Sequence, residues 1–362
     1  MNDYYYRLVS ELVDANKTAE DVKGKGFLSS MKKLVIEDGN NQKITLAVKI
    51  SLAKPIKVLA NQVQLQTLMT FHNTELEVYS IIESYGGPKT AKVFAMRNME
   101  LTDTVKPGFL AMELIENRLV TDHDVIVTEC LEEPIRNIAR LHALYEKLSP
   151  EESKQISSTL ILDWFSELFC KQNLNLLMGY FTKLIEMNML SETAKKGIPL
   201  LAGIVSRESL ATFDTYCDDH KYPLQLCHGD FWTPNLLFGR DLELAAIIDF
   251  QTANIGCGMQ DLTRLMVTSM SGKERRNSWK SLLAVYHVEL NSCGQECDFN
   301  TILKAFNFFF PFAVAVFCIV SPAKLLLTLS RTEDPEDKNK LIDCMSEKYS
   351  ALLEDLVDSS LP

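Results

Sequence analysis

The sequence predicts an α+β fold with a small antiparallel-sheet lobe followed by a large, mainly helical lobe. Short apolar or β-branched runs separated by turn residues dominate up to about residue 116, and stretches with apolar residues three or four apart dominate after it. The chain has 362 residues, of which 46% are hydrophobic, and this is enough to bury a sizeable core. We therefore predict an N-terminal lobe at residues 1–116 and a C-terminal lobe at residues 117–362.

The N-terminal lobe is predicted to contain a β-hairpin, one main helix and two further strands. The runs 27–37 and 43–51 flank the turn sequence Asp-Gly-Asn-Asn, which favours a hairpin. Residues 54–85 have helical spacing and end at a Gly-Gly-Pro sequence. Two more strands are expected at 92–96 and 109–114. An amphipathic helix is expected at the start of the chain.

The C-terminal lobe is predicted to consist of long helices and one short β-region. The segments with helical spacing are 125–148, 160–189, 195–216, 275–290, 301–329 and 338–357. Short apolar runs at 224–227, 236–238 and 244–250 flank a polar loop. The most apolar stretch, 306–320, contains Pro311 and is shorter than the roughly 20 residues that span a bilayer. We expect a buried helix there and no stable membrane insertion.

The net charge disfavours broad nucleic-acid binding. Lys and Arg together number 37 and Asp and Glu number 48, so the formal net charge is −11. A surface that neutralises many phosphates needs the opposite sign. A single nucleotide can still bind, because a few basic side chains and backbone amides are enough to hold its phosphates.

The nine cysteines predict neither a disulfide framework nor a zinc ribbon. They are scattered, odd in number and show no Cys-x-x-Cys spacing. Free thiols are typical of a reducing compartment, and the start of the chain lacks the basic region and apolar run of a secretory signal. We therefore expect a cytoplasmic protein.

The main chemical motif is His228-Gly229-Asp230, followed by Asn235 and by Asp249 in an Ile-Ile-Asp-Phe sequence. Phosphoryl transfer needs a carboxylate that orients the attacking hydroxyl, and separate oxygen ligands that hold magnesium on the nucleotide phosphates. Asp230, Asn235 and Asp249 provide this set. Each motif alone is a weak signal, because a lone His-Gly-Asp is common and a buried Asp often only forms a turn.

Two segments carry a resemblance to a known family. HGDFWTPNLLF at 228–238 and LAAIIDFQTANIG at 244–256 resemble the catalytic and metal-binding loops of choline-kinase-like and ecdysteroid-kinase-like proteins. Those proteins share the protein-kinase-like fold with aminoglycoside phosphotransferases, and the chain looks closest to their uncharacterised nematode branch. The resemblance extends from about residue 20 to residue 350 by order of motifs. It implies ATP and Mg²⁺ as cofactors, Asp230 as catalytic base, and Asn235 and Asp249 as magnesium ligands.

The same resemblance implies a lysine that reaches the nucleotide phosphates and an acidic residue that holds it. Lys49 in Ala-Val-Lys-Ile has the expected pattern, although such a lysine alone is usually a surface residue. Glu75 in Phe-His-Asn-Thr-Glu resembles the helix signature of the family, and Glu77 is the competing partner. The two glutamates point about 200° apart on a helix, so only one can face Lys49. We favour Glu75.

Two further regions are candidate nucleotide contacts. The turn Gly-Lys-Gly at 24–26 precedes Ser29 and Ser30, where small residues and free amides can approach phosphates, but it lacks a full Gly-x-Gly-x-x-Gly pattern. The segment 109–116 resembles the linker whose backbone meets adenine. Its hinge candidates are Glu113, Leu114 and Ile115.

Three other positions match the family but have simpler explanations. Asp261 with Arg264 is interpreted as a helix N-terminal aspartate with an ion-pairing arginine. His142 is interpreted as a helix-packing histidine. Trp232 either lines the acceptor site or merely packs, and both interpretations stay open.

The sequence therefore predicts ATP-dependent phosphorylation of a hydroxyl group on a small molecule. The acceptor is left open: a choline-like cation needs aromatic faces and carboxylates, and a steroid needs a broad apolar cleft. The alternative from another class is a catalytically silent, pseudokinase-like protein that binds a nucleotide or another ligand. Gln251 stands where protein kinases place glycine after Asp-Phe, so switching through that glycine is not expected.

Overall fold

The computed structural model describes residues 3–14, 20–21, 29–37, 43–51, 62–102, 105–116, 120–121 and 123–358. Within these ranges, the first third of the chain contains two helices and seven strands, and helices dominate the rest.

The N-terminal lobe is built on a five-stranded antiparallel sheet in the order β1-β2-β3-β7-β4. Its strands are β1 Glu20–Asp21, β2 Ser29–Glu37, β3 Lys43–Ser51, β4 Val93–Arg97 and β7 Phe109–Glu113. A separate antiparallel pair is formed by β5 Glu100–Leu101 and β6 Val105–Lys106. The predicted hairpin is therefore β2–β3, and the register places Lys49 between Met31 and Leu110.

Side chains of β3 point alternately to the two faces of the sheet, and each face contacts a different core. Leu46 and Val48 are buried in a small core with Tyr5, which lies on α1 Asp3–Asp14. Ala47 belongs to the main core, which extends into the C-terminal lobe. Because side chains alternate along a strand, Lys49 lies on the Ala47 side, facing helix α2 Gln62–Tyr85. The first part of the predicted helix, residues 54–61, lies outside the described residues.

The C-terminal lobe contains twelve helices among its described residues, together with two short β-ladders. The helices are α3 Thr128–Ala143, α4 Pro150–Gln155, α5 Leu160–Leu168, α6 Lys171–Glu186, α7 Glu192–Lys195, α8 Ile198–Ile204, α9 Arg207–Asp214, α10 Tyr216–His220, α11 Met259–Ser269, α12 Gly272–Ser292, α13 Phe299–Arg331 and α14 Pro335–Val357. The ladders pair β8 Gln225–Cys227 with β11 Asn254–Gly256, and β9 Leu236–Phe238 with β10 Leu244–Ile247.

Two helices predicted as continuous are broken, and the predictions at 160–189 and 195–216 are wrong in this respect. The first is divided into α5 and α6 at Phe169 and Cys170. The second region is divided into α7 to α10. Ser191 and Ser206 start new helices there, because each hydroxyl accepts a hydrogen bond from a backbone N–H three residues on. Periodicity did not reveal these caps.

Helix α13 runs without interruption through Pro311 and Pro322, which confirms the helix predicted at 301–329. Ser321 donates a hydrogen bond to Phe317 O at 2.6 Å and contacts the Tyr349 hydroxyl at 2.7 Å. These contacts anchor the turn before Pro322, whose missing N–H leaves Cys318 O without its usual helical donor. By length and composition α13 could cross a bilayer, but 67% of its most apolar window is buried inside the protein. A buried core helix passes the same test, so the absence of membrane insertion stays a prediction.

Candidate active site

Lys49 joins three elements of the fold at one point. Its Nζ lies 2.7 Å from Glu75 Oε2 on α2 and 2.6 Å from Asp249 Oδ1 after β10. Gln251 Oε1 is 3.5 Å from the same nitrogen. Lys49 and Glu75 are both buried. Glu75 is thus the residue that contacts Lys49. The pKa of Glu77 is instead raised by partial burial and by the nearby charge of Glu152.

The contacts among Lys49, Glu75 and Asp249 shift the pKa values of Lys49 and Glu75. Burial lowers the pKa of Lys49, but Asp249 and Glu75 more than compensate and hold it above its usual value. Burial raises the pKa of Glu75 to about 7, against the attraction of Lys49 and with a further contribution from Asp249. Lys49 is therefore charged at neutral pH, and Glu75 is the acid that is most easily protonated beside it.

Asp249 is held in a special backbone conformation. Its φ and ψ are 68° and 60°, in the left-handed region that few residues other than glycine adopt. The next residue, Phe250, is fully buried, and its ring packs against Tyr79 at 5.1 Å and against His228 at 4.9 Å between centroids. The Asp249 side chain is 28% exposed. Burial of Phe250 therefore fixes the turn that points Asp249 at Lys49.

Asp230 lies in the loop 228–235, here called the HGD loop, which follows β8. Asp230 Oδ1 is 2.5 Å from Arg264 Nη2. Asn235 Nδ2 donates to Asp230 O at 2.9 Å and to Asp230 Oδ2 at 3.2 Å. With its amide nitrogen used in this way, Asn235 presents its carbonyl oxygen as a further acceptor.

Backbone contacts tie the HGD loop to the segment before Asp249. His228 Nε2 lies 3.0 Å from Ile248 O, and Ile248 N donates to Asn235 O at 3.0 Å. Asp230, Asn235 and Asp249 are thus carried by two connected loops, as the sequence predicted. Their catalytic and metal-binding roles stay predictions.

The Asp261 side chain is hydrogen-bonded to the backbone of the HGD loop. Its carboxylate accepts hydrogen bonds from His228 N at 2.7 Å and Gly229 N at 2.9 Å, and it lies 3.0 Å from His142 Nε2. His142 Nδ1 in turn contacts the Tyr286 hydroxyl at 2.8 Å. The prediction of a structural role for Asp261 agrees with these contacts.

Arg264 forms an ion pair, as predicted, but its partner is Asp230 rather than Asp261. The two side chains are three positions apart along α11, and both contact the HGD loop. Sequence reasoning missed this contact. The only available signal was the position of the Asp-x-x-Arg motif directly after the Asp249 segment.

Gly229 is required in the HGD loop for two reasons. Its φ of +79° is in the left-handed region. A Cβ atom at this position would lie 1.9 Å from Thr252 O, a backbone atom. The close approach of the two loops therefore depends on the absence of a side chain.

The structure describes only some of the other residues that were predicted to contact the nucleotide. The turn 24–26 lies outside the described residues, and Ser29 is described only by its strand pairing with Ser51. Glu113 N donates to Lys92 O at 2.8 Å and Leu114 N to Thr45 O at 3.2 Å. These two backbone N–H groups therefore already donate to carbonyl oxygens of the protein. A ring nitrogen of adenine would have to accept a hydrogen bond from the N–H of Ile115 or of a later residue.

The oxygen atoms at the cleft have the chemistry that a magnesium ion prefers. Asn235 offers an amide oxygen and Asp249 a part-exposed carboxylate, and hard cations such as Mg²⁺ bind oxygen ligands. A second group, His142, Cys227 and Asp261, also has donor atoms close together. That group is completely buried, and its carboxylate already accepts two backbone N–H bonds. The residues at the cleft fit a metal ion better.

A family model described as "DUF1679: Uncharacterized oxidoreductase dhs-27" matches residues 27–360. The chain belongs to this family. A Caenorhabditis elegans relative named "Uncharacterized oxidoreductase dhs-27" is 24% identical over 339 residues, which cover 82% of this chain. The chain spans only 39% of the length of that relative. The match agrees with the expected nematode branch without being specific for it.

Two solved structures of similar fold are named as a choline kinase and as a complex of APH(2")-IIIa. Choline kinase from Cryptosporidium parvum Iowa II is 13% identical, with a TM-score of 0.51 and coverage of 98% of this chain and 97% of that chain. The GDP and kanamycin complex of APH(2")-IIIa is also 13% identical, with a TM-score of 0.51 and coverage of 98% and 99%. These likenesses confirm the predicted two-lobed, protein-kinase-like α+β fold.

Proposed function

We propose that the protein is an ATP-dependent phosphotransferase that acts on a hydroxyl group of a small molecule. The observation that supports this most is the contact of Lys49 with both Glu75 and Asp249. It places a charged lysine between the sheet that is expected to cover a nucleotide and the segment that carries a candidate metal ligand. In kinases both the lysine–glutamate pair and this aspartate must be in place.

Each candidate residue has a role in this proposal. Asp230 orients the acceptor hydroxyl and accepts its proton, and Lys49 neutralises charge on the nucleotide phosphates. Asn235 and Asp249 would hold Mg²⁺, which neutralises phosphate charge when it is bound. Most of the rate enhancement then comes from positioning and from electrostatic stabilisation of the transferred group.

A specific observation supports a second candidate function, a nucleotide- or ligand-binding protein without catalysis. Arg264 Nη2 lies 2.5 Å from Asp230 Oδ1, so the candidate base already has a strong ion-pair partner. If this pair persists, Arg264 occupies a carboxylate oxygen that would otherwise meet the acceptor hydroxyl. Turnover of ATP distinguishes the two functions, because a pure binder gains stability with nucleotide but does not consume it.

We place the protein in the cytoplasm, with a small molecule as its partner. All nine cysteines are free thiols, which suits a reducing compartment. The word oxidoreductase comes from the name of a relative that extends well beyond the matched segment. The carboxylates, amide and lysine found here are the groups that phosphoryl transfer requires.

The proposal is tested by the release of ADP from ATP and Mg²⁺ with a panel of amino alcohols, sterols, aminoglycosides and hydroxy acids. Asp230→Asn should lower acceptor-dependent turnover about 100-fold or more. The control is Asp241→Asn, an exposed aspartate between β9 and β10, which should keep turnover. Equal turnover in wild type and Asp230→Asn would show that the assigned base is wrong. A magnesium-ATP thermal shift without turnover would favour the binding protein.

A further inference from the structure

Two positively charged side chains lie against one aromatic ring beside the candidate base. Trp232 is two residues after Asp230. Arg264 Cζ lies 5.2 Å and Lys324 Nζ 5.1 Å from its ring centroid. Arg264 belongs to α11 and Lys324 to α13, so two helices of the C-terminal lobe supply the cations. We call Trp232, Arg264 and Lys324 the Trp232 cluster.

The Trp232 cluster is a poor site for a cationic acceptor. Quaternary ammonium groups bind to open aromatic faces, whereas this ring already carries two cations of the protein itself. A third positive charge nearby would be repelled. The cluster also opposes the net charge of the whole chain, which is −11. The positive charge of Arg264 and Lys324 is therefore concentrated around Trp232 in a chain that is acidic as a whole.

Two buried donors in the same cluster lack acceptors. Among the described residues, no hydrogen-bond partner is found for Arg264 Nε or for Trp232 Nε1, and both nitrogens are covered from solvent. A buried donor without an acceptor is energetically unfavourable. An anionic oxygen that enters between the guanidinium and the indole would satisfy these donors. Both side chains must shift to admit it.

We propose that the acceptor carries an anionic group close to its hydroxyl, and that Arg264 and Lys324 bind this group beside Trp232. The inference rests on the proposed function and specifies its substrate class. Because Arg264 touches Asp230 directly, a molecule that reaches both residues needs its anionic group only a few bonds from the hydroxyl. The class that fits is a short hydroxy acid.

Lys324 makes a further interaction within the protein. An ammonium group has three N–H donors, so this contact does not prevent it from binding a ligand. Its position on the exposed side of α13 also makes it a residue whose charge can be reversed without disturbing the core.

The test compares three probes that differ in charge but share a diol: glycerate, glycerol and 3-amino-1,2-propanediol. Binding is measured calorimetrically in the presence of saturating MgADP. Wild type should bind glycerate about tenfold more tightly than the amine. Lys324→Glu should weaken glycerate binding about fivefold or more and strengthen binding of the amine. Lys304→Glu, an exposed position on the same helix, should leave the preference unchanged.

Several results would overturn the inference. These are tighter binding of the amine than of glycerate in wild type, no measurable glycerate binding, and equal effects of Lys324→Glu and Lys304→Glu. A loss of affinity for MgATP instead of glycerate would assign the cluster to the nucleotide phosphates and would also contradict it.

ADP release in the same samples separates this inference from the proposed function. Charge-selective glycerate binding without Asp230-dependent ADP release would support the anion site and reject the kinase. Turnover that prefers the amine would support the kinase and reject the anion site.

Discussion

Lys49 and Asp249 are 200 positions apart in the sequence, yet Lys49 Nζ lies 2.6 Å from Asp249 Oδ1. This contact connects the N-terminal sheet to the segment after β10. Glu75 completes the group from α2, so one ammonium faces two carboxylates. With both carboxylates ionised the group has a net charge of −1, which would suit the Mg²⁺ of the proposed function.

We expect Lys49→Met to lower kcat/KM for MgATP about 100-fold or more, because the phosphates lose their positively charged partner. Removing one partner of a buried ion pair also costs about 3–5 kcal/mol of unfolding free energy. The cost is reduced if Glu75 takes up a proton. Urea unfolding measures the second effect. Lys43→Met, an exposed position on the same strand, is the control and should change neither quantity much.

Glu75→Gln tests the raised pKa of Glu75. The folded-state pKa of about 7 lies above the 4.5 of an ordinary glutamate, so the folded state binds this proton more tightly. The stabilisation is fully present below pH 4.5 and is lost as the pH rises through 7. The free energy of unfolding of wild type minus that of Glu75→Gln should therefore fall between pH 4.5 and 8, by up to about 3 kcal/mol.

Unfolding experiments at several pH values give this difference directly. Glu83→Gln, at an exposed position of the same helix, serves as the matched control. A difference that rises with pH would contradict the assigned direction.

Gly229→Ala should be strongly destabilising, because the left-handed φ alone costs about 1–2 kcal/mol and the Cβ would collide with Thr252 O. The Asp230 carboxylate would shift with the loop, so turnover should fall as well. Thermal unfolding and ADP release measure the two effects. Gly179→Ala on α6 has nothing within 4 Å of the new Cβ and should keep or slightly raise stability. Similar melting temperatures for the two variants would show that the loops tolerate a side chain.

Asp261→Asn should lower stability by about 1–3 kcal/mol and also lower turnover. An amide has one acceptor oxygen, so its NH₂ group would face either the N–H of Gly229 or the donors at His228 and His142. Asp343→Asn on the exposed side of α14 is the matched control. Retention of wild-type turnover in Asp261→Asn would mean that the HGD loop does not depend on this support.

Local patterns were sufficient for most of the fold. Alternation and turn residues located the β2–β3 hairpin, and short apolar runs located β8 and β9 on either side of the polar loop, with β10 after them. The helix break at Ser206 was missed, since a serine cap competes with an apolar spacing that continues through it. The spacing at 301–329 did predict α13, which continues through Pro322.

The site was predictable in its residue types but not in its contacts. Lys49, Glu75 and Asp249 were selected individually, and the structure brings their charged atoms together. The choice of Glu75 over Glu77 required a motif resemblance, because helical geometry alone excludes only one of them. The partner of Arg264 could not be predicted, since Asp230 comes within its reach only after α11 has packed against the HGD loop.

The supports of the HGD loop come from α3, α11 and α12, all in the C-terminal lobe, through His142, Asp261 and Tyr286. Lys49 reaches Asp249 from the other lobe. Tyr79 of α2 also packs against Phe250, next to Asp249. A separation of the lobes would thus break both contacts of the Asp249 segment and leave the supports of the HGD loop in place. Under the proposed function, Asp230 would already be positioned in an open state, and closing would restore Lys49 and fix Asp249.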